Sequence, residues 1–136
     1  MAIASLLITV IGLLLVLMIA GTILVNQKRH RISPKEQARL KEKWNKIMDE
    51  AGHNPKGAIL EADKMLDHAL KLKGFKGNLG EKLKQASTLF RDLNGVWAAH
   101  KWRNRIAHEL EMRITANEAK TALSQFRQAL RDLGAL

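Results

Sequence analysis

The sequence predicts an all-α protein in which a single transmembrane helix is followed by a four- to five-helix bundle. Two observations lead to this fold class. An uninterrupted apolar run occupies residues 2–25, and apolar residues then recur at spacings of three and four through most of the chain. No stretch shows the alternation of apolar and polar residues that is typical of a half-buried strand. The chain contains no cysteine, which excludes disulfides, thiolate zinc sites and a cysteine nucleophile.

The apolar run is expected to anchor the protein in a membrane. It carries no charge and only Ser5, Thr9 and Thr22 as polar side chains, and it exceeds the roughly 20 residues needed to cross a bilayer. A secretory signal peptide is the alternative, but the apolar part of such a peptide spans only about 7 to 15 residues. We therefore predict an uncleaved anchor over residues 1–27, which contacts the membrane through residues 2–25.

The basic residues after the run predict its orientation and the domain boundaries. Lys28, Arg29 and Arg31 follow the span and nothing basic precedes it, so the positive-inside rule places the amino terminus outside and the carboxyl-terminal domain in the cytoplasm. A basic linker over residues 28–33 then joins the anchor to a bundle over residues 34–136. Part of the net charge of +10 lies in this region, where it favours an anionic leaflet. Charge alone is therefore weak support for RNA binding.

Two soluble helices are predicted next, each opened by a capping residue and a proline. Ser33 opens the first, with Glu36 as its capping-box partner, and Gly52 ends it. Asn54 opens the second, and Gly74 ends it. The predicted apolar face of the first helix is Leu40, Trp44, Ile47, Met48 and Ala51. That of the second is Ile59, Ala62, Leu66, Ala69 and Leu70, with Glu61, Asp63, Asp67 and His68 turned mostly away from it.

A third, short helix and a fourth helix are expected in the middle of the soluble part. Asn78 and Glu81 have the spacing of a capping box and would open the third helix. The dipeptide Asn94-Gly95 interrupts the pattern, and the fourth helix is expected from Val96 onward. The predicted inward residues of the third helix are Leu79, Leu83, Ala86, Phe90 and Leu93. Those of the fourth are Val96, Ala99, Ile106 and Leu110, with Trp102 at the boundary.

The last helix has the most regular apolar spacing in the chain. Thr115 and Glu118 form a predicted capping box at its start, and Gly134 ends it. The apolar residues at helical spacing are Ala119, Ala122, Leu123, Phe126, Ala129, Leu130 and Leu133. This pattern predicts an amphipathic helix with one face in the core.

A dense group of polar side chains lies in the fourth helix, in the segment W-R-N-R-I-A-H-E at residues 102–109. Asn104 follows Arg103 directly, and His108 comes five positions after the arginine. This Arg-x4-His spacing resembles the R-x4-6-H signature of the HEPN superfamily, a group of small helical bundles. The resemblance is best over residues 55–133, where the order and approximate lengths of the helices also agree.

The resemblance implies a function as well as a fold. Catalytic HEPN members cleave RNA without a metal, as homodimers that bring two copies of the motif into one cleft. By position, Arg103 would bind the phosphate, Asn104 would orient it or brace the site, and His108 would be the general acid or base. No cofactor is implied. Some members are paired with an antidote protein, so a regulatory partner of that kind is a further expectation.

Helix geometry makes the homodimer a specific expectation. Five residues along a helix correspond to a rotation of about 500°, or about 140° net. Arg103 and His108 therefore do not share a face of a regular helix. A second protomer, or a distortion near the helix end, would have to bring the guanidinium and the imidazole together.

Side chains beside the motif are further candidates for contacts with RNA. Trp97 can stack on a single-stranded base, while His100, Lys101 and Arg105 can contact base or phosphate. A partly buried position in the core is the alternative for the tryptophan. A zinc site is a weaker alternative, because the histidines at positions 100 and 108 would need His68 as a third strong ligand.

Each site residue also has a purely structural interpretation. Arg103 can be an ion-paired arginine, and His108 can stabilise the negative end of the helix dipole. Glu61 and Asp63 resemble an acidic position that accompanies the motif in some HEPN members, but a solvated helix face is the simpler interpretation. The alternative function is therefore a catalytically inactive bundle that serves as a membrane-tethered scaffold for protein interaction or dimerisation.

Overall fold

The computed structural model describes residues 1–29 and 31–136, with the side chains of residues 25–29 left out of the description. Two compact units are present, Met1–Arg31 and Ile32–Leu136. The predicted fold class is confirmed, because the described residues form α-helices, one 3-10 turn and no strand. The side chains of Lys28 and Arg29, on which the predicted orientation partly rests, lie outside the described residues.

The first unit is one long helix, α1 (Ala2–Arg29). Its segment Ala2–Leu24 has a mean hydropathy of 2.9 and is long and apolar enough to cross a membrane. The hydroxyl groups of Ser5, Thr9 and Thr22 each donate to a backbone carbonyl three residues earlier. The few polar side chains of the segment Ala2–Leu24 are thereby satisfied within it, as a hydrocarbon environment would require.

The second unit is a bundle of five helices. They are α2 (Pro34–Glu50), α3 (Pro55–Leu72), α4 (Leu79–Gln85), α5 (Leu93–His108) and α6 (Ala116–Asp132), with a 3-10 turn at Ser87–Leu89. Helix α3 is central, since it packs against each of the other four. The pairing of α3 with α5 positions the site described below.

The core follows the predicted apolar faces of α3 and α6. All five predicted residues of α3 are buried, and so are all seven of α6. Phe126 and Leu66 are completely buried and lie in the same core cluster. Burying side chains of this size contributes about 1.5 to 3 kcal/mol each relative to leaving them exposed.

Capping residues fix the helix starts. The predicted capping boxes of Asn78 with Glu81 and of Thr115 with Glu118 are both present. Ser33 caps α2 by accepting from the Glu36 backbone N–H at 3.3 Å. The predicted capping box at this start is not formed, because the Glu36 side chain pairs with Arg39 one turn later in α2 and lies 3.9 Å from His68 of α3.

Two expected boundaries in the middle of the bundle are wrong. Helix α4 ends at Gln85, and Phe90 lies in extended backbone after the 3-10 turn, although its side chain is buried. Helix α5 begins at Leu93, so Asn94-Gly95 lies inside its first turn. The Asp92 carboxylate explains this start, since it caps the helix by accepting from the Gly95 backbone N–H at 2.9 Å.

Two expected inward residues are also wrong. Met48 on α2 is 45% exposed, and Leu110 is fully exposed. Helix α5 ends at His108, and Glu109 is extended, so Leu110 no longer follows the helical spacing that predicted its burial. Met112 is buried in the connection to α6.

Candidate functional site

Asp63 on α3 is the centre of a polar cluster between α3 and α5. The expectation that it belongs to a solvated face is wrong, because only 4% of the residue is exposed. It lies on the buried side of α3, four residues after Ile59 and three before Leu66, both completely buried. A carboxylate that deep requires partners. Helix α5 supplies them from the segment that carries the motif.

Four side chains form a closed ring of three hydrogen bonds and one ion pair. His100 Nδ1 lies 2.8 Å from Oδ1 of Asp63, and Arg103 Nε lies 3.2 Å from Oδ2. Arg103 Nη1 lies 3.0 Å from Oδ1 of Asn104. Nδ2 of Asn104 lies 3.4 Å from Nε2 of His100 and closes the ring. One carboxylate of α3 thus holds two side chains of α5.

The ring selects one tautomer of His100. An arginine can only donate, so the Asn104 atom that faces Arg103 must be the amide oxygen. The Asn104 amide NH₂ group then faces His100 and donates to Nε2. Nε2 must therefore be the acceptor, and the hydrogen of the neutral imidazole resides on Nδ1, which donates to Asp63.

Arg103 is held but not used up by these contacts. It forms an ion pair with Asp63 and donates one N–H to Asn104, and a guanidinium carries five N–H groups. Its side chain is 34% exposed. The remaining N–H groups can therefore donate hydrogen bonds to an anion, although the Asp63 carboxylate offsets the positive charge.

A cavity of about 510 Å³ opens beside the ring. Its walls come from α3, from α5 and from the connection between α3 and α4, with Lys64, Asp67 and Asn78 among the lining residues. His100, Arg103 and Asn104 also line it. Arg103 and Asn104 of the motif therefore face the same cavity as the charged residues Lys64 and Asp67 of α3. The cavity has room for a nucleotide-sized polar ligand.

A buried lysine borders the same region. Lys82 on α4 is only 5% exposed, and its Nζ lies 2.8 Å from Oδ1 of Asp67. The sequence analysis missed this residue. The position of Lys82 in the sequence offered no signal of burial, because a lysine in a short helix is normally solvated.

Trp97 packs against the imidazole of the ring. Its indole meets the His100 ring edge to face, with centroids 6.1 Å apart and an interplanar angle of 67°. Trp97 is partly buried against the core, which matches the core alternative for this residue.

His108 lies apart from this cluster. It is the last residue of α5, is exposed, and does not line the cavity. Within the described part of the chain its side chain makes no hydrogen bond or ion pair. Within one chain the structure thus joins Arg103 to Asn104, and not to His108.

Two of the remaining candidates also lie outside the cavity. Lys101 is exposed. Arg105 stacks its guanidinium 4.8 Å from the centroid of the Trp102 ring and pairs with Glu109 at 3.1 Å. Both belong to the outer surface of α5, where contact with a ligand would be independent of the ring.

No group of three metal-binding side chains occurs in the described residues. His68, the third ligand of the zinc alternative, faces Glu36 on α2, with Nε2 and Oε2 3.9 Å apart. His100 is instead committed to Asp63 through Nδ1. The zinc arrangement is therefore not formed.

Glu61 differs from Asp63 in its surroundings. Its carboxylate is half-exposed and accepts a hydrogen bond from Lys64 at 2.7 Å. That bond lowers the pKa of Glu61 below its ordinary value, and the charges of Lys64 and Lys43 add to the effect. Of the two acidic candidates on α3, Glu61 matches the solvated interpretation and Asp63 belongs to the site.

Comparisons of the chain with models of protein families, with curated proteins and with solved structures find no match.

Proposed function

We propose that the bundle binds RNA through Arg103 and cleaves it without a metal ion, as a HEPN-like domain held at the cytoplasmic face of a membrane. The observation that carries the proposal is the way Arg103 is presented. Its orientation is fixed by Asp63 and Asn104, and it still has N–H groups and exposed surface beside an open cavity. A guanidinium held in this manner suits paired hydrogen bonds to a phosphate.

His108 is the proposed proton-transfer group. It has the exposure that contact with a substrate requires, and no internal partner among the described residues competes for it. Because it does not line the cavity of its own chain, it would act on RNA bound by the Arg103 of a second protomer. The proposed enzyme is therefore a homodimer.

Location at a membrane follows from α1. The segment Ala2–Leu24 supports an anchor by its length and composition, and the basic residues after it support a cytoplasmic bundle. An anchor would also confine the protomers to two dimensions. This confinement raises their local concentration and favours the dimer.

The proposal is tested with the full chain in a non-ionic detergent and a labelled single-stranded RNA of mixed sequence. We expect cleavage in the presence of EDTA, and none of a DNA of the same sequence, which lacks the 2′-hydroxyl. His108→Ala should lower the rate by about 10² to 10⁴ while RNA affinity is retained. Arg103→Lys should lower both the cleavage rate and the RNA affinity, because an ammonium cannot make the paired contact with a phosphate.

His53→Ala is the matched control, since His53 is an exposed histidine in the turn between α2 and α3. Its rate should equal that of the unaltered protein. Activity that survives in His108→Ala would identify a contaminating nuclease. Loss of cleavage in EDTA would contradict a metal-independent reaction.

A catalytically inactive scaffold is the second candidate, and one observation favours it. Asp63 offsets the charge of Arg103 within the chain, and a ring of mutually paired polar side chains is also what a purely structural cluster would require. A scaffold would bind a partner or a second copy without cutting RNA. Self-association that is unchanged in Arg103→Ala and His108→Ala, together with no cleavage, would support this candidate.

A further inference from the structure

We infer that His100, oriented by Asp63, is a catalytic residue that takes the proton from the ribose 2′-hydroxyl. This inference rests on the proposed RNA cleavage and adds a residue that lies outside the Arg-x4-His spacing. It starts from the ring, which fixes the hydrogen of the neutral imidazole on Nδ1 and leaves Nε2 as the acceptor. A general base needs an unprotonated nitrogen directed at its substrate.

The contact that occupies Nε2 is weak enough to be replaced. Asn104 Nδ2 lies 3.4 Å away, whereas a hydroxyl that donates to an imidazole nitrogen typically approaches to about 2.7 to 3.0 Å. His100 is 14% exposed and lines the cavity. A ribose hydroxyl bound in the cavity can therefore take the place of the Asn104 amide at Nε2.

Asp63 gives His100 its orientation. Nδ1 of the imidazole lies 2.8 Å from a buried carboxylate oxygen, the arrangement by which the carboxylate of a catalytic triad holds its histidine in one tautomer and orientation. The charged groups around the imidazole are Asp63, Lys64 and Asp67 on α3 and Arg103 on α5. The indole of Trp97 lies beside the imidazole, with the ring centroids 6.1 Å apart.

Arg103 brings the phosphate to the same place. It shares Asp63 with His100, so a phosphate on its outer N–H groups lies beside the imidazole. The two groups together recognise a ribose and its 3′-phosphate, which defines RNA and excludes DNA. Unlike His100, His108 does not lie beside Arg103 in its own chain, since it is exposed at the end of α5.

The reaction balances with two histidines and no further reactant. The 2′-oxygen forms a bond to phosphorus while its proton passes to Nε2 of His100. The bond between phosphorus and the 5′-oxygen of the next nucleotide breaks, and protonated His108 of the second protomer supplies the proton to that oxygen. The products are a 2′,3′-cyclic phosphate and a 5′-hydroxyl, and the two histidines then exchange protons with water.

A substrate with sulfur in place of the bridging 5′-oxygen separates the two roles. A thiolate leaves without needing a proton, so this RNA should restore His108→Ala to nearly the unaltered rate. His100→Asn keeps a donor for Asp63 but has no basic nitrogen. It should remain slower than the unaltered protein by about 10² to 10⁴ on both the sulfur and the oxygen substrates.

The outcomes distinguish this inference from the proposed function. If the unaltered full chain cleaves neither substrate, both are overturned. If it cleaves and His100→Asn keeps the rate of the His53→Ala control, or if the sulfur substrate rescues His100→Asn, only the role of His100 is overturned. Circular dichroism and RNA affinity of His100→Asn show whether the variant is folded.

If His100→Asn does not fold, a measurement on the unaltered protein still tests the role of His100. Two-bond ¹H–¹⁵N correlation spectra of the full chain in detergent micelles identify which nitrogen of His100 carries the hydrogen. We expect Nδ1 in the free protein at neutral pH, and a shift of the Nε2 resonance when a non-cleavable 2′-amino RNA binds. A hydrogen on Nε2 of the neutral ring, or no response to the RNA, would overturn the inference.

Discussion

His100 donates its Nδ1–H to Oδ1 of Asp63 at 2.8 Å, and the other oxygen of the same carboxylate lies 3.2 Å from Nε of Arg103. One buried acid of α3 therefore fixes two side chains that are three residues apart on α5. The contact has consequences for stability as well as for chemistry. Removal of this acid leaves a half-buried cation and a partly buried imidazole without their shared carboxylate.

Asp63→Ala should destabilise the bundle by about 2 to 4 kcal/mol. The estimate is below the 3 to 5 kcal/mol typical of a broken buried pair, because Arg103 is 34% exposed and can recover water. Urea denaturation of the full chain in detergent measures the loss. All three tryptophans, Trp44, Trp97 and Trp102, lie in the bundle, so their fluorescence reports on this unit alone.

Glu61→Ala is the matched control for Asp63→Ala. It removes a carboxylate two residues away on the same helix, one that is half-exposed and pairs with the surface lysines Lys43 and Lys64. A change within about 0.5 kcal/mol is expected, as for other exposed ion pairs. Equal losses in the two variants would show that Asp63 contributes no more than a surface acid.

The faces of α3 and α6 could be predicted from the sequence because their apolar spacing is regular and their ends carry caps. Thr115 with Glu118 and Asn78 with Glu81 are local signals, read from residues within one turn. The end of α5 had no such signal. No glycine or proline lies between His108 and Thr115, so the apolar spacing seemed to continue to Leu110.

The candidate site could be predicted only in part. Arg103 and Asn104 were found from their spacing to His108, but the partner of Arg103 lies forty residues earlier in the chain. Which face of α3 meets α5 is a tertiary relationship that local pattern does not contain. Asp63 still offered a signal, since its spacing from Ile59 and Leu66 places it on the apolar face.

Acid should weaken the start of α6 through Glu118. The backbone N–H of Thr115 donates to its carboxylate at 2.8 Å, and the hydrogen bonds from Thr115 lower the pKa of Glu118 below its ordinary value. A lowered pKa in the folded state means that this contribution is fully present above the unfolded pKa of about 4.3. It is lost as the pH falls through the lower, folded value.

Glu118→Gln provides the measurement. The variant keeps a hydrogen-bonding side chain but does not titrate, so it should be less stable than the unaltered protein at pH 7. The difference in unfolding free energy between the two should shrink as the pH is lowered to about 3, because the unaltered protein loses the charged cap there. A difference that is constant over this range would show that the charge of Glu118 contributes nothing.

Deleting residues 1–27 should give a folded helical domain that stays in solution without detergent. The bundle unit begins at Ile32, and its first cap, Ser33, accepts from within α2, so the deletion leaves the helices and caps of this unit intact. Circular dichroism and analytical ultracentrifugation test this expectation. An unfolded or aggregated fragment would show that the bundle depends on the preceding helix.

The orientation of the full chain has a separate test. A protease cleavage site added at the carboxyl terminus should be cut only after cells are permeabilised, since the positive-inside rule places the bundle in the cytoplasm. The same site at the amino terminus should be cut in intact cells. The reverse pattern would overturn the predicted topology, and a chain found in the soluble fraction would overturn the anchor.

Lys82 and Asp67 should respond unequally to substitution. The Lys82 side chain is 6% exposed and that of Asp67 is 41% exposed, with 2.8 Å between Nζ and Oδ1. Asp67→Ala strands a buried ammonium and should cost about 2 to 3 kcal/mol. Lys82→Met replaces the charge with an apolar chain of similar length and leaves only an exposed carboxylate, so it should cost less than about 1 kcal/mol.

The combined variant Asp67→Ala with Lys82→Met tests whether the stranded Lys82 ammonium causes the cost of Asp67→Ala. If the cost of Asp67→Ala comes from the stranded ammonium, removing that ammonium should restore most of the lost stability, and the double variant should resemble Lys82→Met alone. Urea denaturation followed by tryptophan fluorescence measures all three variants. Additive losses would instead show that Lys82 reaches solvent through the adjacent cavity when its partner is removed.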